Sequence, residues 1–392
     1  MGKRTKVGSR KMVNQEIKTN SLFLYQEKVW NQLKHISESE KIANAYLFFG
    51  PPGCGKEGMA VKFAQLLNCE DELNHICDNC PSCKRCQKLQ HENIKLIFPL
   101  PKPKKSIDNN PIGNNTKQLD LVNNAINQKS QDLFFKIRIP NANRILIQSI
   151  RDLRKTLFLK SESSGKQVVI IFDSHLLSSG QGEAANALLK LLEEPPIGTT
   201  FILVTDHINS VFQTIISRCQ KIGFPKLQDR DIEFWFKTKN VEEAHISLLV
   251  GLSRGNLQSA KFFVTQSVQN LMLLISDLVI KTTKSNPNDW RKFIEEYSKL
   301  AKQDTEKFVY HFLLLKIWYQ SVNRLKNKIN DPLHHTDLKE EMENLIRLYP
   351  SAELLLIVIE LEKIVRAIQL NLYMPLVLIN FLLKVQEYLN HE

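Results

Sequence analysis

Residues Gly50 to Glu57 read GPPGCGKE, a phosphate-binding loop whose last residue is wrong for a metal. The pattern G-x-x-x-x-G-K-[S/T] points backbone N–H groups and a helix N-terminus at phosphate oxygens, and its lysine reaches the β and γ phosphates. Gly50, Gly53, Gly55 and Lys56 supply that cradle. Glu57 stands where a hydroxyl would ligate Mg²⁺. A carboxylate there could reach a metal, but it sets negative charge beside an anionic phosphate. The spacing therefore predicts a nucleotide site kept without its chemistry.

A second component is the apolar run Val168 to Phe172, which ends at Asp173. In P-loop ATPases a strand-end Asp holds Mg²⁺, and a neighbouring Glu positions the attacking water. The neighbour here is Ser174, which cannot act as a base. His175 follows and reads as a packing or surface residue.

Seven cysteines are present, five of them within the 18 residues from Cys69 to Cys86. Cys69-x₇-Cys77-x₂-Cys80-x₂-Cys83 offers four thiolates at spacings that close a tetrahedral zinc site, and Cys86 is a fifth candidate one x₂ step further. In a cytosolic chain such a cluster favours metal over disulfides. Four thiolates leave no open position for substrate, so this Zn²⁺ would be structural, supplying on the order of 10 kcal/mol of local folding energy. Lys84, Arg85 and Lys88 would let the knob touch DNA, but a stability role is the simpler reading.

The tripeptide Ser217-Arg218-Cys219 follows the apolar run Phe201 to Val204. An arginine placed there can be offered to a neighbouring subunit's γ-phosphate, where arginine fingers are worth about 10³–10⁵ in rate. Alone the tripeptide says little, and a surface salt bridge explains it as well.

These residues need elements to position them. Helical spacing over 21–35, the short apolar run Ala45 to Phe49 and helical spacing over 57–67 give strand, phosphate loop and helix in order. Residues 101–130, rich in Lys, Asn, Pro and Ser, read as a mobile insertion. A helix is expected from Ile145 through Leu153. The 168–172 run reads as a buried strand, 184–194 as a helix closed by Pro195 and Pro196, and 201–204 as another buried strand. Strands alternating with helices predict a parallel α/β sheet. After Pro225 only helical patterns follow, in units over 228–284 and 285–392 divided near Asn286-Pro287-Asn288.

A chain of 392 residues suits two or three domains. No apolar run reaches the roughly 18 residues of a membrane span, and the basic stretch 1–20 lacks a signal-peptide core. A cytoplasmic protein with no membrane partner is expected. The net charge of +12 suits a polyanionic partner such as DNA, or simply a Lys-, Asn- and Ile-rich genome bias.

Ala43-Asn-Ala-Tyr-Leu-Phe48 before GPPGCGK, then CDNCPSC, EAANALLKLLEEPP at 183–196 and TIISRC at 214–219 come in one order. Together they resemble the AAA+ clamp-loader subunits of bacterial DNA polymerase III, strongly over 21–225 and weakly in the last helices, where Asn371 to Val385 is similar. The resemblance implies a P-loop AAA+ domain over 21–227 with a four-cysteine zinc module at 69–86 and a Lys/Asn-rich insertion at 101–140. A helical lid at 228–284 and a helical collar at 285–392 would follow, with a flexible arm at 1–20.

Against the motor subunits (gamma/tau) of that family, Glu57 replaces Ser/Thr, Ser174 replaces the catalytic Glu, and Gln258 stands at the sensor-arginine position. Arg218 is intact. That combination resembles the delta-prime type: a non-catalytic stator that gives Arg218 to a motor's ATP. The resemblance implies a hetero-pentamer with gamma/tau and delta, a sliding clamp and primer-template DNA. ATP or ADP could be held through Gly50, Gly53, Gly55, Lys56, Glu57 and Asp173, without hydrolysis. Cys83 stands to His91 as the family's last cysteine stands to its histidine, which favours it over Cys86. The insertion is longer than is typical of the family. Two rivals are a true motor ATPase and a zinc-dependent DNA-binding module.

Overall fold

A computed structural model describes residues 25–39, 42–71, 75–101, 111–140, 142–158, 165–370 and 372–390. The arm expected over 1–20 lies outside the described residues. The chain divides into two compact units, 1–227 with 256–258 and 228–255 with 259–392.

In the first unit, helix α1 (Glu27–Glu38) buries Val29 and Leu33. Strand β1 (Ala45–Phe49) leads through the glycine-rich loop into α2 (Lys56–Leu67). The short α3 (Pro81–Gln87) carries the last cysteines, followed by β2 (Ile94–Ile97), α4 (Pro111–Gln131), α5 (Ile147–Leu157) and β3 (Gln167–Ile171). Next come α6 (Glu183–Glu193), β4 (Thr199–Thr205), α7 (Gln213–Ile216) and β5 (Gln220–Gly223).

The five strands form one parallel sheet in the order β2-β3-β4-β1-β5. The central strands β1, β3 and β4 are buried on both faces, which is why their sequences are continuous apolar runs. The edge strands β2 and β5 escape a sequence reading for the same reason reversed. Only Ile94 of β2 and Ile222 of β5 are fully buried. Leu47, Val169, Ile171, Phe201 and Leu203 share one core cluster with Ile150 and Leu153 of α5 and Leu188 of α6.

Parallel pairing puts every strand's C-terminal end on one edge, where open α/β sheets bind ligands. The phosphate loop leaves β1, Asp173 follows β3 and Asp206 follows β4. Because β4 lies between β1 and β3, Asp206 falls between the other two.

Of the stretch 101–130, read as a mobile insertion, residues 102–110 lie outside the described residues, while the rest is not loose chain but the helix α4, Pro111–Gln131. Beyond α4, Phe134, Ile137 and Ile139 are buried. Composition hid this because the segment is anchored by few apolar groups and by a lysine, Lys129, that is completely buried.

The second unit is helical among its described residues: α8 (Asp229–Thr238), α9 (Glu243–Ser253), most of α10 (Leu257–Val264), α11 (Val268–Thr283), α12 (Pro287–Gln303), α13 (Thr305–Lys326), α14 (Leu338–Leu348), α15 (Leu354–Gln369) and α16 (Met374–Leu389). Helix α11 packs on α12, α13 and α16. No single described helix is long and apolar enough to cross a membrane.

Asp331 is a buried charge of this unit. It takes ion pairs from Arg254 and, at 3.2 Å, from Arg324, and accepts the Leu333 N–H at 3.0 Å. Burial alone would raise its carboxyl, but Arg254 outweighs burial and holds it below the usual range. Removing one partner of a buried pair leaves the other charge uncompensated. Asp331→Ala should therefore lower stability by about 3–5 kcal/mol in chemical denaturation. The carboxylate's contribution should be full above the unfolded value of about 3.9 and fade as pH falls through the lower folded value.

Candidate phosphate-loop site and metal centre

The loop between β1 and α2 has the backbone of a phosphate cradle. Gly55 caps α2 in the left-handed region at φ 96°. Gly53, also left-handed, lies so close to Asn256 that a Cβ would sit 1.7 Å from its Oδ1. Gln26 anchors the loop from outside, donating to Cys54 O at 3.0 Å and Pro225 O at 2.9 Å.

The side chains do not stand ready for a ligand. Lys56 is buried and turned onto Asp206 at 2.7 Å, also donating to Pro51 O at 2.6 Å. Lys136, from the segment after α4, bridges Asp173 at 2.8 Å and Asp206 at 2.6 Å. Burial would raise the Asp206 carboxyl, but Lys136 and Lys56 together hold it far below the carboxylate range. Burial likewise disfavours charge on Lys136, and Asp173 and Asp206 outweigh that and hold its ammonium above the ordinary lysine value.

Glu57, at the metal-ligand position, receives Lys129 at 2.6 Å. Lys129 spends its other two protons on Leu133 O at 2.9 Å and Phe135 O at 2.6 Å, so all three donors are used. Gln258 donates to Phe134 O at 3.0 Å. Three lysines thus face three carboxylates. A magnesium nucleotide does not fit this arrangement, because the cation position between the carboxylates holds an ammonium and the lysine that would reach phosphate is paired. Ser174 is buried and bonds nothing that would make it a base. His175 contacts Thr205 Oγ1 at 3.2 Å and is pushed down to about 4 by burial, so it stays neutral at ordinary pH.

The cysteines form a separate centre. The Sγ atoms of Cys69, Cys77, Cys80 and Cys83 all lie within 4.8 Å of one another, with Cys69–Cys83 at 3.6 Å and Cys77–Cys83 at 3.9 Å. A tetrahedron with Zn–S bonds of about 2.3 Å has edges of about 3.8 Å, so these residues fit a zinc ion. Backbone N–H groups are aimed at the sulfurs, Cys80 N to Cys77 Sγ at 3.4 Å and Cys83 N to Cys80 Sγ at 3.3 Å. The amides of Cys80 and Asn79 pull the Cys77 thiol down to about 7. Cys86 lies outside the group and burial pushes it up to about 12, as for a packed thiol.

Behind the centre, His91 Nδ1 accepts the Asn93 N–H at 3.1 Å, so its Nε2 must donate to Ser82 Oγ at 2.9 Å. Ser82 in turn donates to Asn68 O. That order is the reverse of an activated serine, and it splices the module onto β2.

Arg218 stands elsewhere. It is exposed just beyond α7, bonded to Thr214 O at 2.9 Å and to Glu193 at 2.6 Å. Such exposed pairs are worth about 0–1 kcal/mol, so Glu193 can release it cheaply.

A profile of the family described as "DNA polymerase III, delta subunit" matches residues 25–228, just over half the chain. The chain belongs to that family. It is thereby an AAA+ clamp-loader subunit, as the order of motifs led us to expect. DNA polymerase III subunit tau of Bacillus subtilis is 28% identical over 250 residues, covering 62% of this chain and 36% of that protein. Subunit delta′ of the same organism is 27% identical over 235 residues, covering 60% and 58%. The plant protein STICHEL-like 3 of Arabidopsis thaliana is 28% identical over 281 residues, covering 66% and 21%. The chain thus spans about a third to under two thirds of the two bacterial relatives. Overall similarity to tau and delta′ is nearly equal, so position-specific chemistry has to separate the two roles.

Within the family fold, the structure brings Lys56, Glu57 and Asp173 together and collects Cys69, Cys77, Cys80 and Cys83. Sequence reasoning missed Asp206, Lys129 and Lys136. Asp206 left a usable signal: like Asp173, it is an acid that closes a buried parallel strand. The two lysines left none, being two among the 53 Lys and Arg residues of the chain.

The cysteine geometry makes a direct prediction. The purified protein should release one zinc per chain to a thiol-modifying reagent read by a metallochromic dye. Cys83→Ser should lose the metal and its local folding energy, on the order of 10 kcal/mol. Cys86→Ser should keep the metal.

Proposed function

We propose that this chain is the delta-prime-type subunit of the clamp loader: a ring component that does not hydrolyse ATP and that presents Arg218 to the ATP of a neighbouring motor. The observation that carries this reading is the Glu57–Lys129 pair. The residue at the metal-ligand position is committed inward, while no base stands at position 174. The exposure of Arg218, held only by a weak pair, supports its use outside its own subunit.

On this reading the partners are gamma/tau motors and delta in a hetero-pentamer, with the sliding clamp and primer-template DNA as their common targets in the cytoplasm. Residues 228–284 serve as lid and 285–392 as collar. The exposed stripe Leu376, Ile379 and Leu383 on α16 suits burial against other collar helices. The zinc knob is structural.

The test is reconstitution with motor and delta subunits. The isolated chain should show no ATP turnover. Arg218→Ala should leave ring assembly intact and slow the motor site it serves by about 10³-fold or more. Turnover by the isolated chain that disappears in Lys56→Ala would make it a motor. Loss of assembly in Arg218→Ala would make that arginine structural.

A further inference from the structure

The insertion ends in a segment that fits the phosphate-loop site as a ligand would. Residues 133, 134 and 135 each have their carbonyl oxygen bonded, two by Lys129 and one by Gln258. The Phe134 and Ile137 side chains are buried on either side of Lys136, and the Phe134 ring packs edge-on to Tyr25 at 6.4 Å. Lys129 lies 5.4 Å from the centre of the Phe172 ring, beside the end of β3. Lys136 therefore enters the pocket on a short stretch fixed from both sides.

Two of the three positions at which this chain departs from the motor pattern contact this segment directly. Glu57 takes Lys129, and Gln258 takes the Phe134 carbonyl. An arginine at 258 would bring another positive charge against a pocket already balanced by three lysines. A serine at 57 would leave Lys129 buried with no counter-ion. The departures and the insertion thus complement each other, which random decay of an unused site does not explain.

We propose that residues 129–137 are a built-in occupant of the phosphate-loop pocket, in which the Lys136 ammonium replaces the divalent cation between Asp173 and Asp206, while Asp206 also keeps Lys56 from phosphate. The inference deepens the non-hydrolysing reading above: the pocket is closed by the chain itself, and the insertion is the part that closes it. The pocket then contributes rigidity to the subunit whether nucleotide is present or not.

Two measurements on the full-length protein test this. In hydrogen exchange, the amides of Asp132, Phe134 and Phe135, which are bonded within the segment, should be protected in the free protein, and protection should not change with MgATP at roughly millimolar concentration. Fast exchange there, or saturable MgATP binding by the wild type in titration calorimetry, overturns the proposal. Second, Lys136→Met removes the ammonium with little change in shape. It should gain a Mn²⁺ site, read by Mn²⁺ electron paramagnetic resonance, with affinity at least about tenfold above the wild type. A folded Lys136→Met that takes up no more Mn²⁺ than wild type overturns the cation-replacement role. If that variant fails to fold, hydrogen exchange and calorimetry on the wild type decide alone. MgATP binding without turnover would end this proposal and leave the non-hydrolysing reading standing. A protected segment in a chain that fails to enter the loader would do the opposite.

Discussion

The Asp206 carboxylate, shared between Lys56 and Lys136, is the interaction on which the rest of the pocket turns. Both ammoniums are largely withdrawn from water, where an unpaired charge is costly and a paired one roughly breaks even. Asp206 joins the lysine of the glycine loop to the lysine of the insertion, and through Lys136 to Asp173. Its place is set by topology. A strand between β1 and β3 can put a side chain within reach of both, and β4 is that strand.

A second layer follows from donor arithmetic. Lys129 has three protons and three acceptors, one a carboxylate and two carbonyls from residues four and six further on. The lysine both neutralises Glu57 and folds its own chain into the turn that delivers Lys136. A single buried lysine thereby converts a Lys/Asn-rich stretch, unpromising by composition, into a fixed element. The cysteine centre works by comparable means, its sulfurs held together by N–H groups before any metal is considered.

The phosphate loop and Arg218 keep separate sets of partners. The phosphate loop is balanced internally. Arg218 sits at the surface with an exposed carboxylate partner, outside the loop's network of lysines and acids. Retaining the loop's glycines is consistent with a structural demand: Gly53 meets Asn256 with no room for a Cβ, whatever the pocket holds.

The sequence by itself determined the sheet's central strands, the glycine loop, the four-cysteine group and the helical second half. Those signals are local: continuous apolar runs, fixed spacings and helical periodicity. It also marked Glu57, Ser174 and Gln258 as departures, because a motif defines what each place should hold. Edge strands β2 and β5 were invisible since partial burial leaves no apolar run. What only the tertiary structure decided is what fills the altered pocket. Lys129 lies 72 residues from Glu57, and Lys136 lies 70 from Asp206. No periodicity links residues that far apart, and a lysine's sequence context does not reveal whether its charge faces water or a buried carboxylate. Strand order and the path of the insertion bring them together, so the meaning of the misplaced glutamate became readable only in three dimensions.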